Sequence, residues 1–145
     1  MTKKSTTSKP AATSAPKPAS RGVKQAPAAT STRVVSKSGA KLASKGCVPC
    51  EGGVLKLTSK QISKLLPQLD GWVVDGDSLR KSRTFFDFVD AMDFCNAMAD
   101  IAEDEGHHPD FCVHFNRVDV KIWTHAIGGL SENDFILAAK IDRID

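Results

Sequence analysis

FVDAMDFCNAMADIAEDEGHHPDFCVHFNRVDVKIW, residues 88–123, decides the fold of this chain. Its first half predicts an amphipathic helix: Phe88, Met92, Cys95, Ala99 and Ala102 recur at helical spacing, with Asp90, Asp93, Asp100 and Glu103 mostly on the other side. Gly106 ends that helix, because glycine accepts the left-handed backbone that closes a helix terminus. The second half changes period from 3.6 to 2. Phe111, Val113 and Phe115 alternate with polar residues, as do Val118, Val120 and Ile122, so two strands form a hairpin turning near Asn116-Arg117.

Outward from this unit the same two periods recur. Upstream, Thr58 and Gln61 fit a capping box ahead of the apolar stripe Ile62, Leu65, Leu66 and Leu69, and Pro67 cuts that helix short. Trp72-Val73-Val74 reads as a strand, Asp75-Gly76-Asp77 as a hairpin turn, and Leu79 to Phe85 as a second strand. Downstream, Gly128-Gly129 breaks the chain. Ser131 to Asp134 is again box-like and opens a last helix through Ile136, Leu137, Lys140 and Ile141. The order helix, two strands, helix, two strands, helix predicts an α+β two-layer sandwich: a four-stranded antiparallel sheet with three helices packed on one face. Its outer edges offer unpaired backbone groups to a second subunit.

Charge divides the chain of 145 residues into two regions. Residues 1–46 hold ten of the 20 Lys and Arg and none of the 17 Asp and Glu, so residues 47–145 carry a formal charge of −7 against +3 for the whole. The tail consists largely of Ser, Thr, Ala, Lys and Pro, has no aromatic residue and shows no apolar period, which predicts disorder. Its composition suits a plain solvated extension, an organelle-import peptide or loose attraction to polyanions; eight Lys to two Arg and no amphipathic helix argue against import. The acidic body excludes a basic nucleic-acid-binding domain. No apolar run approaches a membrane span or a signal-peptide core, which predicts a soluble protein. Cys47 and Cys50 form a CxxC with no second pair to complete a zinc site, and the turn-forming Glu51-Gly52-Gly53 follows where a redox motif needs a helix. Cys95 falls on the apolar helix face and Cys112 stands alone. With no disulfide framework, a reducing, cytoplasmic location is expected, organelle import being the alternative.

All four histidines lie between residues 107 and 125. His107 and His108 follow the long helix directly and precede Pro109, which biases His108 away from helical geometry; two adjacent residues cannot both face the core. His125 ends the last strand on the face of Lys121 and Trp123. His114 sits mid-strand, opposite the apolar residues. A helix exit and a strand exit that both carry His suggest one polar cleft at the sheet's rim, where two imidazoles can serve as acid and base near neutral pH. Asp134 could orient one imidazole, cap its own helix, or both. His107, His125 and Asp134 also form a conceivable two-His-one-carboxylate metal set.

The run Glu103-x-x-x-His107-His108-Pro109, then Trp123-Thr124-His125, Gly128-Gly129-Leu130 and Asp134, resembles the pterin-4a-carbinolamine dehydratases. Leu65-Leu66-Pro67 followed by Gly71-Trp72, and the lead-in Cys47-Val48-Pro49-Cys50-Glu51-Gly52-Gly53, are also similar to members of that family. The resemblance implies the same α+β fold assembled as a homodimer or homotetramer. It implies removal of water from a 4a-hydroxytetrahydropterin to give the quinonoid dihydropterin, without metal or redox cofactor. This would recycle the pterin used by aromatic amino acid hydroxylases. Carried over by position, His107, His108 and His125 are the acid–base groups and Asp134 the supporting carboxylate. Gly106, His107, His108, Pro109, Trp123, Thr124, His125 and Ala126 border the pterin. Ala126 and Ile127 depart from animal members, which carry an acidic residue and a cysteine there. Those animal members also serve as dimerisation cofactors for a transcription factor through the long helix, an alternative binding role. His114 drops out of the site and is left as a structural or solvent-facing residue.

Overall fold

Two capping boxes open the helices that the sequence marks: Thr58 donates its backbone N–H to Gln61 Oε1 at 2.9 Å, and Ser131 donates its own to Asp134 Oδ2 at 2.6 Å. The computed structural model describes residues 37–49 and 53–145. In chain order these form α1 (Lys37–Ala43), α2 (Ser59–Leu65), β1 (Val73–Asp75), β2 (Ser78–Thr84), α3 (Phe88–Glu105), β3 (Asp110–His114), β4 (Arg117–Ile122) and α4 (Glu132–Ile141). Single 3-10 turns follow α2 at Leu66–Gln68 and β4 at His125–Ile127.

The four strands make one antiparallel sheet in the order β1-β2-β4-β3. Register fixes its two faces. Leu79 lies opposite Ile122, and Val113 opposite Val118, so these residues share with Val120 the face that the helices cover. The other face carries Arg80, Ser82, Cys112, His114, Asp119 and Lys121. The core joins the covered face to Phe94, Cys95 and Met98 of α3 and to Phe135, Ile136 and Leu137 of α4. The expected α+β architecture of sheet and helices is present.

Three details differ from the sequence reading. The buried stripe of α3 is Ala91, Phe94, Cys95, Met98 and Ala102. Phe88 and Ala99 are exposed, so the helix is rolled from the expected face toward the larger Phe94 and Met98, which fill more of the core. The strand that was to end at His125 ends at Ile122, because His125–Ile127 coils into a 3-10 turn.

The third difference lies at the tail boundary. Residues 37–43, placed in the tail, form α1, and Leu42 and Ala43 are buried against the core. A seven-residue helix does not hold by itself in water; burial of a leucine side chain contributes ~1.5–3 kcal/mol and fixes it here. The reason is α4, in which Asn133 through Ala139 are all buried, so one face rests on the sheet layer and another needs its own cover. Residues 1–36, the bulk of the expected tail, lie outside the described residues.

Candidate active site

The geometry of β3 and β4 brings the chemistry together. Asp110 pairs with Lys121, so the residues entering β3 and those leaving β4 lie side by side at one end of the sheet. Gly106, at φ 59°, closes α3, and the His107 N–H donates back to the Ala102 carbonyl at 3.2 Å. This left-handed exit delivers His107 inward and His108 outward. His107 is 5 % exposed, whereas the His108 side chain is 61 % exposed.

His107 meets Asp134. Its Nε2 lies 2.7 Å from Asp134 Oδ1, and Asp134 is wholly buried. A carboxylate only accepts, so Nε2 carries the proton and the neutral ring has its lone pair on Nδ1. The second oxygen, Oδ2, accepts from Thr124 Oγ1 at 2.9 Å, from the Ser131 N–H at 2.6 Å and from Ser131 Oγ at 3.3 Å. Thr124 and Ser131 also join their hydroxyls at 2.8 Å. Asp134 therefore both caps α4 and orients an imidazole, the two roles that its position allowed.

The outer groups stand beside this buried set. His108 Nε2 lies 2.9 Å from Glu103 Oε1, one turn back along α3. His125, next to Thr124, stacks on Trp123 with ring centroids 4.1 Å apart. Trp123 is held in turn by its Nε1 donating to Asp110 Oδ2 at 3.1 Å, with the Lys121 ammonium 5.0 Å from the ring centroid. Gly106, His108, His125 and Ala126 are exposed and Pro109 and Trp123 half-buried, while His107 and Thr124 turn inward. Ser131 and Asp110 belong to the constellation although the sequence marked Ser131 only as a cap. Its spacing of three from Asp134 was the available signal. The set thus pairs one oriented, desolvated imidazole with two accessible ones, the makings of proton transfer to and from a bound ring.

The other candidates separate from this site. His114 is exposed on the open sheet face, 3.4 Å from Asp119 Oδ2. A hydrogen bond from Ser82 and the neighbouring Arg117 and His114 hold the Asp119 carboxyl below its usual range. Among the described residues no three His, Cys, Asp or Glu side chains gather as metal ligands, so the His107–His125–Asp134 set is not assembled. Cys47, Cys95 and Cys112 are free thiols. Burial, with Glu105 alongside, pushes the Cys47 thiol up to about 12, which leaves it protonated and poorly suited to redox chemistry. Cys50 lies outside the described residues.

Comparison with known proteins identifies the family. The family described as Pterin 4 alpha carbinolamine dehydratase matches residues 55–144. A Rubrobacter xylanophilus protein named for this family is 47 % identical over 104 residues, covering 71 % of this chain and 97 % of its own. "Pterin-4-alpha-carbinolamine dehydratase 2, mitochondrial" of Arabidopsis thaliana is 48 % identical over 111 residues, covering 72 % of this chain and 59 % of its own. A solved structure from Brucella melitensis, titled a transcriptional coactivator/pterin dehydratase, superposes with a TM-score of 0.58 at 38 % identity and covers 60 % of this chain and 95 % of its own. With its fold matched and residues 55–144 covered by the family's model, the chain belongs to the pterin-4-alpha-carbinolamine dehydratase family.

Proposed function

We propose that this chain is a hydro-lyase that dehydrates 4a-hydroxytetrahydropterins, using His107, His108 and His125 as its acid–base groups. The observation that carries this is the buried His107–Asp134 pair set beside two accessible imidazoles. In the reaction the bond from C4a to the hydroxyl breaks as that oxygen takes a proton, and a ring nitrogen loses one as the C=N bond forms. Quinonoid dihydropterin and water result, with no change of oxidation state, so the step asks for proton donors and acceptors and nothing more. His108 and His125 contact the substrate. Asp134 keeps the tautomer of His107 fixed, and the Trp123–His125 pair, its rings tilted by 36°, offers an aromatic surface to the pterin ring.

The test is a direct assay on freshly generated 4a-hydroxytetrahydropterin. His108→Ala and His125→Ala should each slow dehydration by ~10²-fold or more, as expected for lost acid–base groups. Rates like the wild type in both would remove the proposal. The substrate arises from aromatic amino acid hydroxylases, which makes recycling of their pterin the cellular role. Association into a homodimer or homotetramer goes with the exposed Phe86, Phe88 and Val89. Sedimentation across a concentration range checks it.

The Brucella title supports a second, binding role. The outer side of α3 carries exposed Asp90, Asp93, Asp100, Glu103 and Asp104, so a protein partner there would be basic. Charge-reversing Asp93 and Asp100 would abolish such binding and leave dehydration intact. No described helix is long and apolar enough to cross a membrane. A cytoplasmic location is the simplest reading. The mitochondrial name of the Arabidopsis relative favours a test of import by the tail.

A further inference from the structure

His107 and Asp134 come from different elements, one just past α3 and the other in the first turn of α4. Their 2.7 Å contact requires those two helix ends to stay in register. A segment ahead of residues 55–144, the stretch that the family's model matches, touches both ends. The Cys47 N–H donates to Glu105 Oε2 at 2.7 Å, two residues before His107. Val48 exchanges two hydrogen bonds with the side chain of Asn133, the residue before Asp134. Its N–H donates to Oδ1 at 3.1 Å, and its carbonyl accepts from Nδ2 at 2.7 Å. The Cys47 thiol donates to the Asn133 carbonyl at 3.6 Å, and Lys45 pairs with Glu132 at 2.5 Å.

Each of these contacts has a reason to be specific. Asn133 is 2 % exposed in the first turn of α4, and a buried amide needs partners on both its oxygen and its nitrogen. The backbone of Val48 supplies both. Glu105 reaches two ways, to Cys47 and to Lys140 of α4, so it ties the end of α3 to α4 directly and through the lead-in.

We infer that Cys47-Val48 is a positioning strap, and that Asn133 and Glu105 are positioning residues through which it sets the His107–Asp134 geometry. This rests on the proposed dehydratase reading only for its kinetic consequence. Small displacements of an oriented catalytic group cost rate out of proportion to stability. Loosening the strap should therefore lower kcat about tenfold and leave KM within about twofold, since His108 and His125 stay in place.

The experiment uses the full chain and three variants, Asn133→Ala, Val48→Pro and Val48→Ala. Val48 is exposed, so its proline variant deletes one N–H and leaves both helices intact; the alanine variant keeps that N–H and serves as the conservative control. Ring-nitrogen NMR of His107 is read beside the kinetics. The expected result is displaced His107 signals and the tenfold loss of kcat in N133A and V48P, with V48A like the wild type. Unchanged His107 signals in folded N133A and V48P overturn the inference, and so does V48A behaving as V48P does. The ring signals decide the matter even if the protein fails to dehydrate a pterin, so the strap and the reaction fail separately. Should N133A not fold, V48P against V48A carries the same decision.

Discussion

Asp134→Asn changes one atom of the buried set and tests it most sharply. Three of the four hydrogen bonds that Asp134 accepts fall on Oδ2, from Thr124 and from both groups of Ser131. An asparagine carbonyl can take all three. Its NH2 then replaces Oδ1 against His107 Nε2, where two donors would meet, so the imidazole must move its proton to Nδ1. A bond to a charged group, ~1.5–3 kcal/mol, is exchanged for a neutral one of ~1 kcal/mol, a net loss of about 0.5–2 kcal/mol. For a domain near 100 residues that lowers Tm by roughly 2–16 °C. Activity should fall much further, by ~10²-fold or more, because the imidazole proposed for acid–base work now presents the wrong nitrogen. Asp134→Ala should differ in kind, since it strands the Ser131 N–H, which is its half of the capping box, and the His107 Nε2–H at ~1–3 kcal/mol each. Thermal denaturation and the pterin assay read both effects. A folded D134N with kcat within threefold of the wild type would falsify the role given to the His107–Asp134 pair. A D134N as unstable as D134A would refute the hydrogen-bond reasoning.

Further predictions concern stability and thiol chemistry. Phe115, at the first turn position of the β3–β4 hairpin, is exposed and has φ 53°, a conformation that favours glycine; Phe115→Gly should stabilise by ~1 kcal/mol, read as an increased urea midpoint, and no gain would refute the strain. Burial raises the Glu105 carboxyl, but hydrogen bonds from Lys140 and the Cys47 N–H outweigh it and hold the group below its ordinary 4.5. Its contribution is therefore present above pH 4.5 and is lost as pH falls through the lower folded value. The stability gap between the wild type and Glu105→Gln should shrink accordingly in denaturation series run down to about pH 3. For Cys47 the sign reverses. With a thiol raised from 9.0 to about 12, folded stability should fall as pH rises through that window, and Cys47→Ala should flatten the fall. Peptide mapping after brief alkylation at neutral pH should find Cys112 labelled well before Cys47.

Much of the fold was legible because its signals are local. The period change at Gly106, the two capping boxes and the Asp75-Gly76-Asp77 turn each reflect backbone physics within a few residues. The roll of α3 was not legible: Phe88 and Met92 match helical spacing as well as Ala91 and Phe94 do, and only the facing sheet chooses between them. Helix α1 was hidden for a similar reason. A segment with one large buried residue, Leu42, has no period of its own, and its partner α4 lies about 90 residues away in sequence. The uninterrupted run Phe135 to Ala139 was the one hint, since a helix apolar on all sides must be covered on all sides. At the site, the histidines stood out by residue type. That His107 turns inward and His108 outward depends on the left-handed exit at Gly106, which spacing does not specify.

The β3–β4 hairpin has a division of labour along its length. Its open end lies beside His107, His108 and His125, and its closed end carries the backward-twisted Phe115, secured by the Asn116 carbonyl and amide bonding to Phe85 at 2.7 and 2.8 Å. Five paired positions separate the two ends. Substitutions at the tip can thus trade heat tolerance up or down while the jaws at the far end stay as they are. The hairpin's tip is a place where stability can change five residue pairs away from the histidine end.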